Sequence, residues 1–234
     1  EEKIEIELRN GEKFEGLNLS FFKNRIKQFF WAQNGVEVNI QSRAGDVPAA
    51  KFTAKNNGLL VVVYESTPST IEYNDWHKFV SFVKHKDLGD VLSRHAVKGW
   101  PKKGFREIYH RYSKALIGVG DANGQDRRFG LELEFIALLN PYTVNETEIF
   151  NVKLLYQGEP RADAQIEIFE RDPNSNVSMY FLRTDANGIV NVPVKPGFDY
   201  LLDSVILREY NTDKKDAPLW ESLWAALTFS IPVK

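Results

Sequence analysis

Ile26-Lys27-Gln28-Phe29-Phe30-Trp31-Ala32, then Gln33-Asn34-Gly35, then Val36-Glu37-Val38-Asn39-Ile40 is the stretch on which the fold class turns. Two apolar-rich runs flank Asn34-Gly35. Both residues tolerate the positive φ that the centre of a type I′ turn requires, so the pair closes two antiparallel strands. Ahead of this hairpin, Ile4, Ile6 and Leu8 alternate with Glu5, Glu7 and Arg9, the period-two pattern of a half-buried strand, until Asn10-Gly11 breaks it. Behind it, Asn57-Gly58 introduces Leu59 to Tyr64, a continuous apolar run suited to a central strand buried on both faces. Ser69 to Tyr73 adds one more. Short strands separated by turn signals predict an all-β sandwich over residues 1–73.

The pattern changes at Asn74. Trp76, Phe79, Val80 and Val83 recur at helical spacing, with Asn74 or Asp75 available as N-cap. After Gly89, the spacing of Val91, Leu92 and His95 predicts a second short helix. Gly99-Trp100-Pro101 and Gly104 mark a loop. Phe105, Ile108 and Tyr112 again share a helical face, and Ser113 to Val119 leaves it as a strand. Residues 74–115 hold ten Lys/Arg and four Asp/Glu, so a basic insert interrupts a chain whose net charge is −2. Gly120 to Asp126 reads as an exposed linker.

Strands then return. Leu131 to Leu138 is one, and Phe150, Val152, Leu154 and Tyr156 alternate along the next. Ala164 to Glu170 follows, and Val177 to Thr184 and Ile189 to Val194 flank Asp185-Ala186-Asn187-Gly188 as a further hairpin. Tyr200 to Leu207 and a last strand through Leu223, Leu227, Phe229 and Ile231 complete the pattern. The whole predicts a mainly β fold. Two immunoglobulin-like or transthyretin-like β-sandwich domains, residues 1–73 and 128–234, enclose a short helical insert and linker at 74–127.

Composition narrows function by exclusion. With 43% hydrophobic and 26% charged residues in 234, the chain is globular and not disordered. A net charge of −2 supplies no global positive field for nucleic acid. The absence of cysteine removes disulfides, thiolate metal sites and cysteine nucleophiles together. No run approaches the ~18 apolar residues of a membrane span. The sequence opens Glu1-Glu2-Lys3-Ile4 without initiator Met or signal peptide, as a processed mature protein or a trimmed one would.

Leu155-Tyr156-Gln157-Gly158-Glu159-Pro160, Asp163-Ala164, Thr184 to Gly188 and Pro196-Gly197 resemble the turn grammar of extracytoplasmic transthyretin-like modules. Three further strings are Arg111-Tyr112-Ser113-Lys114-Ala115-Leu116, Asn140-Pro141-Tyr142, and the ending Trp220-Glu221-Ser222-Leu223-Trp224-Ala225-Ala226-Leu227-Thr228-Phe229. Together they resemble a bacterial family of unknown-function domains whose members are described as the periplasmic component of cobalt or nickel uptake (NikM-like). The resemblance runs from about Val36 onward, and its tryptophan-rich close is the most specific part. It implies periplasmic localisation through a signal peptide that this sequence does not carry. It further implies a non-catalytic role near metal transport, with a membrane metal transporter or another envelope protein as partner. Members of the family carry a short His-containing aromatic segment before the first strand; this sequence starts at Glu1 within that strand.

All four histidines, His77, His85, His95 and His110, lie in the basic insert. Imidazole is a common ligand for divalent transition metals, nickel and cobalt included, so the four are the candidate metal ligands. Their spacing is poor: His77 and His85 lie near one helix face but about 12 Å apart along the axis, and no His-x-x-x-His pair exists. The other reading is four surface or loop histidines. Lys98, Lys102, Lys103 and Arg106, interleaved with Trp100 and Phe105, form the densest basic stretch. Trp100 and Arg106 are its candidate ligand-binding residues, for an acidic partner, an anionic glycan or a membrane surface. The alternative is a solvated helical face whose charge is partly absorbed by docking on the acidic β regions.

Asp121 to Asp126 lacks the closing Glu and the acidic spacing of a calcium loop, and reads as a solvated turn. No Gly-x-Ser-x-Gly or His-Glu-x-x-His string is present. Glu107, beside Arg106 and near His110, is either part of an acid–base set or a helix-face ion pair. Trp220 and Trp224 are either packing residues or a sugar platform. The expected function is a non-catalytic periplasmic binding or accessory protein supporting nickel or cobalt uptake. Its alternative is a cell-envelope carbohydrate- or protein-binding structural module. A histidine metal site predicts saturable nickel or cobalt binding that weakens when the four are replaced, and binding that survives their replacement discards it.

Overall fold

The computed structural model describes residues 2–144, 149–212, 214 and 216–233. In chain order the strands begin with β1 (Glu2–Ile6), β2 (Leu8–Asn10), β3 (Leu17–Leu19), β4 (Ile26–Gln33), β5 (Val36–Asn39), β6 (Ala50–Ala54), β7 (Gly58–Ser66) and β8 (Ser69–Tyr73). Helices α1 (Trp76–His85) and α2 (Val91–Val97) follow, then the long β9 (Phe105–Val119). The last part holds β10 (Leu133–Ala137), β11 (Ile149–Tyr156), β12 (Glu159–Pro160), β13 (Gln165–Arg171), β14 (Val177–Arg183), β15 (Ile189–Pro193), β16 (Asp199–Glu209) and β17 (Trp220–Ser230).

Nine strands form one sheet in the order β14-β13-β16-β17-β9-β7-β4-β5, with β8 also on β9. A four-stranded sheet, β10-β11-β12 with β15 on β11, faces it; β1-β6 and β2-β3 are small two-stranded pieces. The large sheet draws strands from residues 1–73, from the insert and from 128–234 alike. Its junction is β9, which pairs antiparallel with β7 from Gly58↔Val119 to Glu65↔Tyr112 and parallel with β17 from Trp220↔Glu107 to Thr228↔Ala115. The Asn34-Gly35 turn closes β4 onto β5 with φ of 51° and 79°, as the sequence predicts. Leu59 to Val63 is buried on both faces, as expected of a central strand.

Each face of the large sheet is covered differently. The four-stranded sheet covers the inner face, where Val61, Leu116, Leu202, Leu223 and Leu227 meet Leu133, Phe135, Phe150 and Val192. On the outer face, β1 and β6 set Ile4, Ile6, Ala50 and Ala54 on Leu60, Val62 and Ala115. Further along that face, α1 and α2 set Phe79, Val83 and Val91 on Tyr73, Phe105 and Trp220.

This explains three departures from the sequence reading. Residues 105–112 are strand, not helix. Phe105 and Glu107 are buried under the helices, and Tyr112, Lys114 and Leu116 against the second sheet, so the burial follows what covers each face. Asp185 to Gly188 is not a hairpin turn: β14 pairs with β13 in the large sheet and β15 with β11 in the small one, so the segment arches between sheets. Gly120 to Asp126 is not wholly an exposed linker, because Ala122 and Asp126 are buried.

Asp126 is buried because Lys114 needs it. Lys114, on the inner face of β9, has its ammonium 2.7 Å from Asp126 Oδ1 and 3.5 Å from Glu134 Oε1, and donates to the carbonyls of Arg127 (3.0 Å) and Phe135 (2.9 Å). Glu134 also accepts from the backbone N–H groups of Phe129, Gly130 and Leu131 at 2.7, 3.0 and 3.1 Å, and Asp126 from that of Ala137 at 2.8 Å. Removing the lysine leaves two buried carboxylates without their cation. Lys114→Met is expected to cost about 3–5 kcal/mol of stability in denaturant unfolding; a cost below about 1 kcal/mol would show that the cluster does not hold the sheets together.

Candidate functional site

The outer face of the large sheet carries two lateral rows that the register defines. One runs Phe29, Tyr64, Ser113, Ala226, Asp203, Glu167 across β4, β7, β9, β17, β16 and β13. The next runs Trp31, Val62, Ala115, Thr228, Leu201, Phe169. The middle of each row is small: Ser113 beside Ala226, and Ala115 beside Thr228. Aromatic and branched side chains stand to either side, so the sheet centre sinks into a trough.

The β2–β3 hairpin roofs it. Its turn depends on glycine: a Cβ on Gly16 (φ 149°) would lie 2.5 Å from the Asn10 carbonyl oxygen, and one on Gly11 2.0 Å from that of Glu15. The tip places the Phe14 ring 4.6 Å from the Arg171 guanidinium, over the β13 side. Between roof and floor lies a cavity of about 630 Å³, bordered by Leu8, Phe14, Tyr64, Arg111, Ser113 and Trp224 among others. That volume is in the range of small-molecule sites.

One wall is ionic. Asp75 caps α1 by accepting from the His77 N–H at 2.9 Å, and just beyond the helix's far end Lys86 reaches two carboxylates of the first row. Its ammonium donates to Asp203 Oδ2 at 2.7 Å and to Glu167, which also takes His85 Nε2 at 2.7 Å. Burial drives the Asp203 carboxyl above its usual range, with Lys86 opposing; burial pulls Lys86 down, but Asp203 and Glu167 outweigh it and hold it high. The Lys86 ammonium also lies 5.2 Å from the Trp224 ring centroid, and Phe82 stacks on Trp224 at 5.5 Å. The opposite wall is different. Arg111, half-buried, makes no ion pair among the described residues and lies 4.8 Å from the Tyr109 ring centroid; the hydroxyls of Tyr64 and Ser113 beside it have no hydrogen-bond partner there.

The fold does not gather the four histidines. His77 is exposed at the start of α1, His85 binds Glu167, and His110 Nε2 lies 3.0 Å from Glu221 on the inner face. His95 is fully buried among Trp76, Phe79, Trp100, Phe105 and Trp220. Its Nδ1 accepts from Trp220 Nε1–H at 3.1 Å and its Nε2 faces the Pro101 carbonyl at 3.1 Å, so the ring is held neutral, and burial lowers its pKa. No group of three or more His, Asp or Glu side chains among the described residues is arranged to hold a metal ion. The donors among the described residues do not fit a nickel or cobalt centre.

Trp100 and Arg106 do come together, on a separate depression of about 470 Å³ with Tyr210 and Leu219. Trp100 stands edge-on to Trp220 at 5.4 Å with the Lys98 ammonium 5.8 Å from its centroid, and Arg106 donates to the Asp216 carbonyl. The basic insert is partly neutralised by docking: Lys86 on Glu167 and Asp203, Arg94 and Lys98 on Glu209. No string in the sequence marks the trough. Its one local signal is the alternation of Arg111, Ser113 and Ala115, whose small members mark no function until β7 and β17 are set beside them.

Glu107 is a structural group. As a strand residue it faces the helices, away from His110, and accepts from Tyr73 at 2.9 Å and from Ser222, which in turn accepts from Trp224 Nε1–H at 2.9 Å. Burial pushes its carboxyl up to about 7, against both hydrogen bonds. Because the folded state holds this proton more tightly than the unfolded chain, its stabilising contribution is greatest below about pH 4.5 and falls until about pH 7. The change is about 3 kcal/mol. Glu107→Gln should therefore gain on the wild type in denaturant unfolding between pH 5 and 8; parallel pH profiles would contradict the assignment.

A family model described as a domain of unknown function (DUF4198) matches residues 1–206. No curated protein and no solved structure matches the chain.

Proposed function

The chain belongs to the DUF4198 family, and from that premise we propose a non-catalytic accessory module of the periplasm that takes an apolar small molecule into the outer-face trough. The observation that carries this reading is the cavity of about 630 Å³ between the glycine-dependent hairpin and the small-residue floor of Ser113, Ala115 and Ala226. A well-packed sheet face has no reason to leave such a space beside Trp224 and Phe169. Apolar surface available there rewards burial by about 25 cal/mol per Å². The periplasmic address rests on the resemblance of the tryptophan-rich ending and the transthyretin-like turns, and cell fractionation that finds the protein in the cytoplasm would remove it.

A role beside nickel or cobalt uptake is compatible with this reading as a contact with a transporter and not as metal capture by the histidines. Saturable nickel binding lost on joint replacement of His77, His85 and His110 would return the function to direct capture. The trough is tested with a neutral solvatochromic dye. We expect saturable uptake with one dye per chain, reduced at least tenfold in Ala226→Phe, which fills the floor. Absence of uptake, or uptake indifferent to Ala226→Phe in a variant with native circular dichroism, would overturn the reading.

A further inference from the structure

We infer that the trough selects a monoanionic amphiphile, an apolar chain ending in a single carboxylate, and that Arg111, Tyr64 and Ser113 form the site for its head. The inference rests on the trough being a binding cavity and adds which chemistry it takes. Arg111 and Ser113 project from the same face of β9, two residues apart, and Tyr64 sits directly across from Ser113 on β7. All three line the cavity.

Their side-chain donors have no hydrogen-bond acceptor among the described residues. The backbone N–H of Arg111 donates to Ser66 Oγ at 3.0 Å, while its guanidinium rests against the Tyr109 ring. A half-buried guanidinium retains a strong preference for an oxyanion, which its planar fork accepts with two parallel hydrogen bonds. The Tyr64 and Ser113 hydroxyls supply further donors to the same anion. Every other cation of the cavity already has a carboxylate or a carbonyl. Lys86 is shared by Glu167 and Asp203, Arg171 is paired with Asp199 at 2.7 Å, Arg9 with Glu7, and Lys114 is turned inward to Asp126.

One free cation among the described residues suits one negative charge. Glu12 and Glu15 on the roof would repel a second. Beyond the head, Val62, Ala115, Leu201 and Phe169, with Thr228 among them, run beside the Lys86–Asp203 wall toward the Phe14 end of the roof, a largely apolar row that suits a hydrocarbon chain. The two ends of the cavity thus ask for different things. The arginine side takes the head, and the Leu201–Phe169 row of β16 and β13 takes the tail.

The test compares decanoate with decanol and decylamine by calorimetry and by displacement of the neutral dye. In the wild type, decanoate is expected to bind at least tenfold more tightly than decanol, and decylamine more weakly than either. Arg111→Gln should bring decanoate down to the level of decanol, a loss several times larger than any change in decanol or dye binding. Tyr64→Phe with Ser113→Ala should lower decanoate affinity severalfold and narrow its margin over decanol accordingly. Equal binding of decanoate and decanol in the wild type, with the dye still taken up, would overturn the head-group site and leave the cavity standing. A decanoate preference that survives Arg111→Gln would also overturn it. Failure of dye and decanoate alike would remove both readings. Native circular dichroism and an unchanged unfolding midpoint of Arg111→Gln keep the comparison meaningful.

Discussion

The architecture depends on one buried cation. Lys114 lies on the inner face of β9, the strand that joins the N-terminal strands to β17, and its ammonium ties the large sheet to Asp126, Glu134 and the carbonyl of Phe135. A lysine in a sandwich core is tolerable only if its charge and its three donors are all met. Meeting them fixes where the segment after β9 must run, because Asp126 has to turn inward and Glu134 has to gather three backbone N–H groups. An apolar substitute for the whole cluster could be as stable; what the ions contribute is a single way of closing the second sheet over the first.

With the inner face closed in this way, the outer face is free to be uneven. It is covered by three separate pieces, β1–β6, the β2–β3 hairpin and the helices, and no single layer spans it. Where the pieces meet, the sheet centre has small residues and the roof has a glycine-built turn, and a cavity remains. The helical insert closes one side through Lys86 and its two carboxylates, which also accounts for part of the insert's surplus of positive charge. Charge that looks in the sequence like an invitation to an external partner is in part spent inside the molecule.

The aromatic cluster under the helices shows the same economy. His95, Trp220, Trp76, Phe79 and Phe105 form a packed unit in which imidazole and indole satisfy one another. The histidine that the sequence offers as a ligand is here a neutral core residue. Trp220 is packing, as its strand spacing allows, while Trp224, four residues on and on the same face, stands at the cavity wall. The same residue type at neighbouring outward positions has two fates, decided by what covers each.

The sequence by itself determined most of the strands, the two helices, the Asn34-Gly35 turn and the mainly β class, because these rest on local periodicity and on backbone angles that few residues accept. It also determined that the insert is basic and that the chain has no thiol chemistry. Only the tertiary structure decided that residues 105–112 are strand, that Asp185 to Gly188 arches between sheets, and that Asp126 and Lys114 meet. It alone brought Arg111, Tyr64, Ser113 and Ala226 together from strands distant in the chain. The physical reason is common to all of these. A strand's hydrogen bonds and the covering of its two faces come from partners far away in sequence, and no local pattern records which partner arrives.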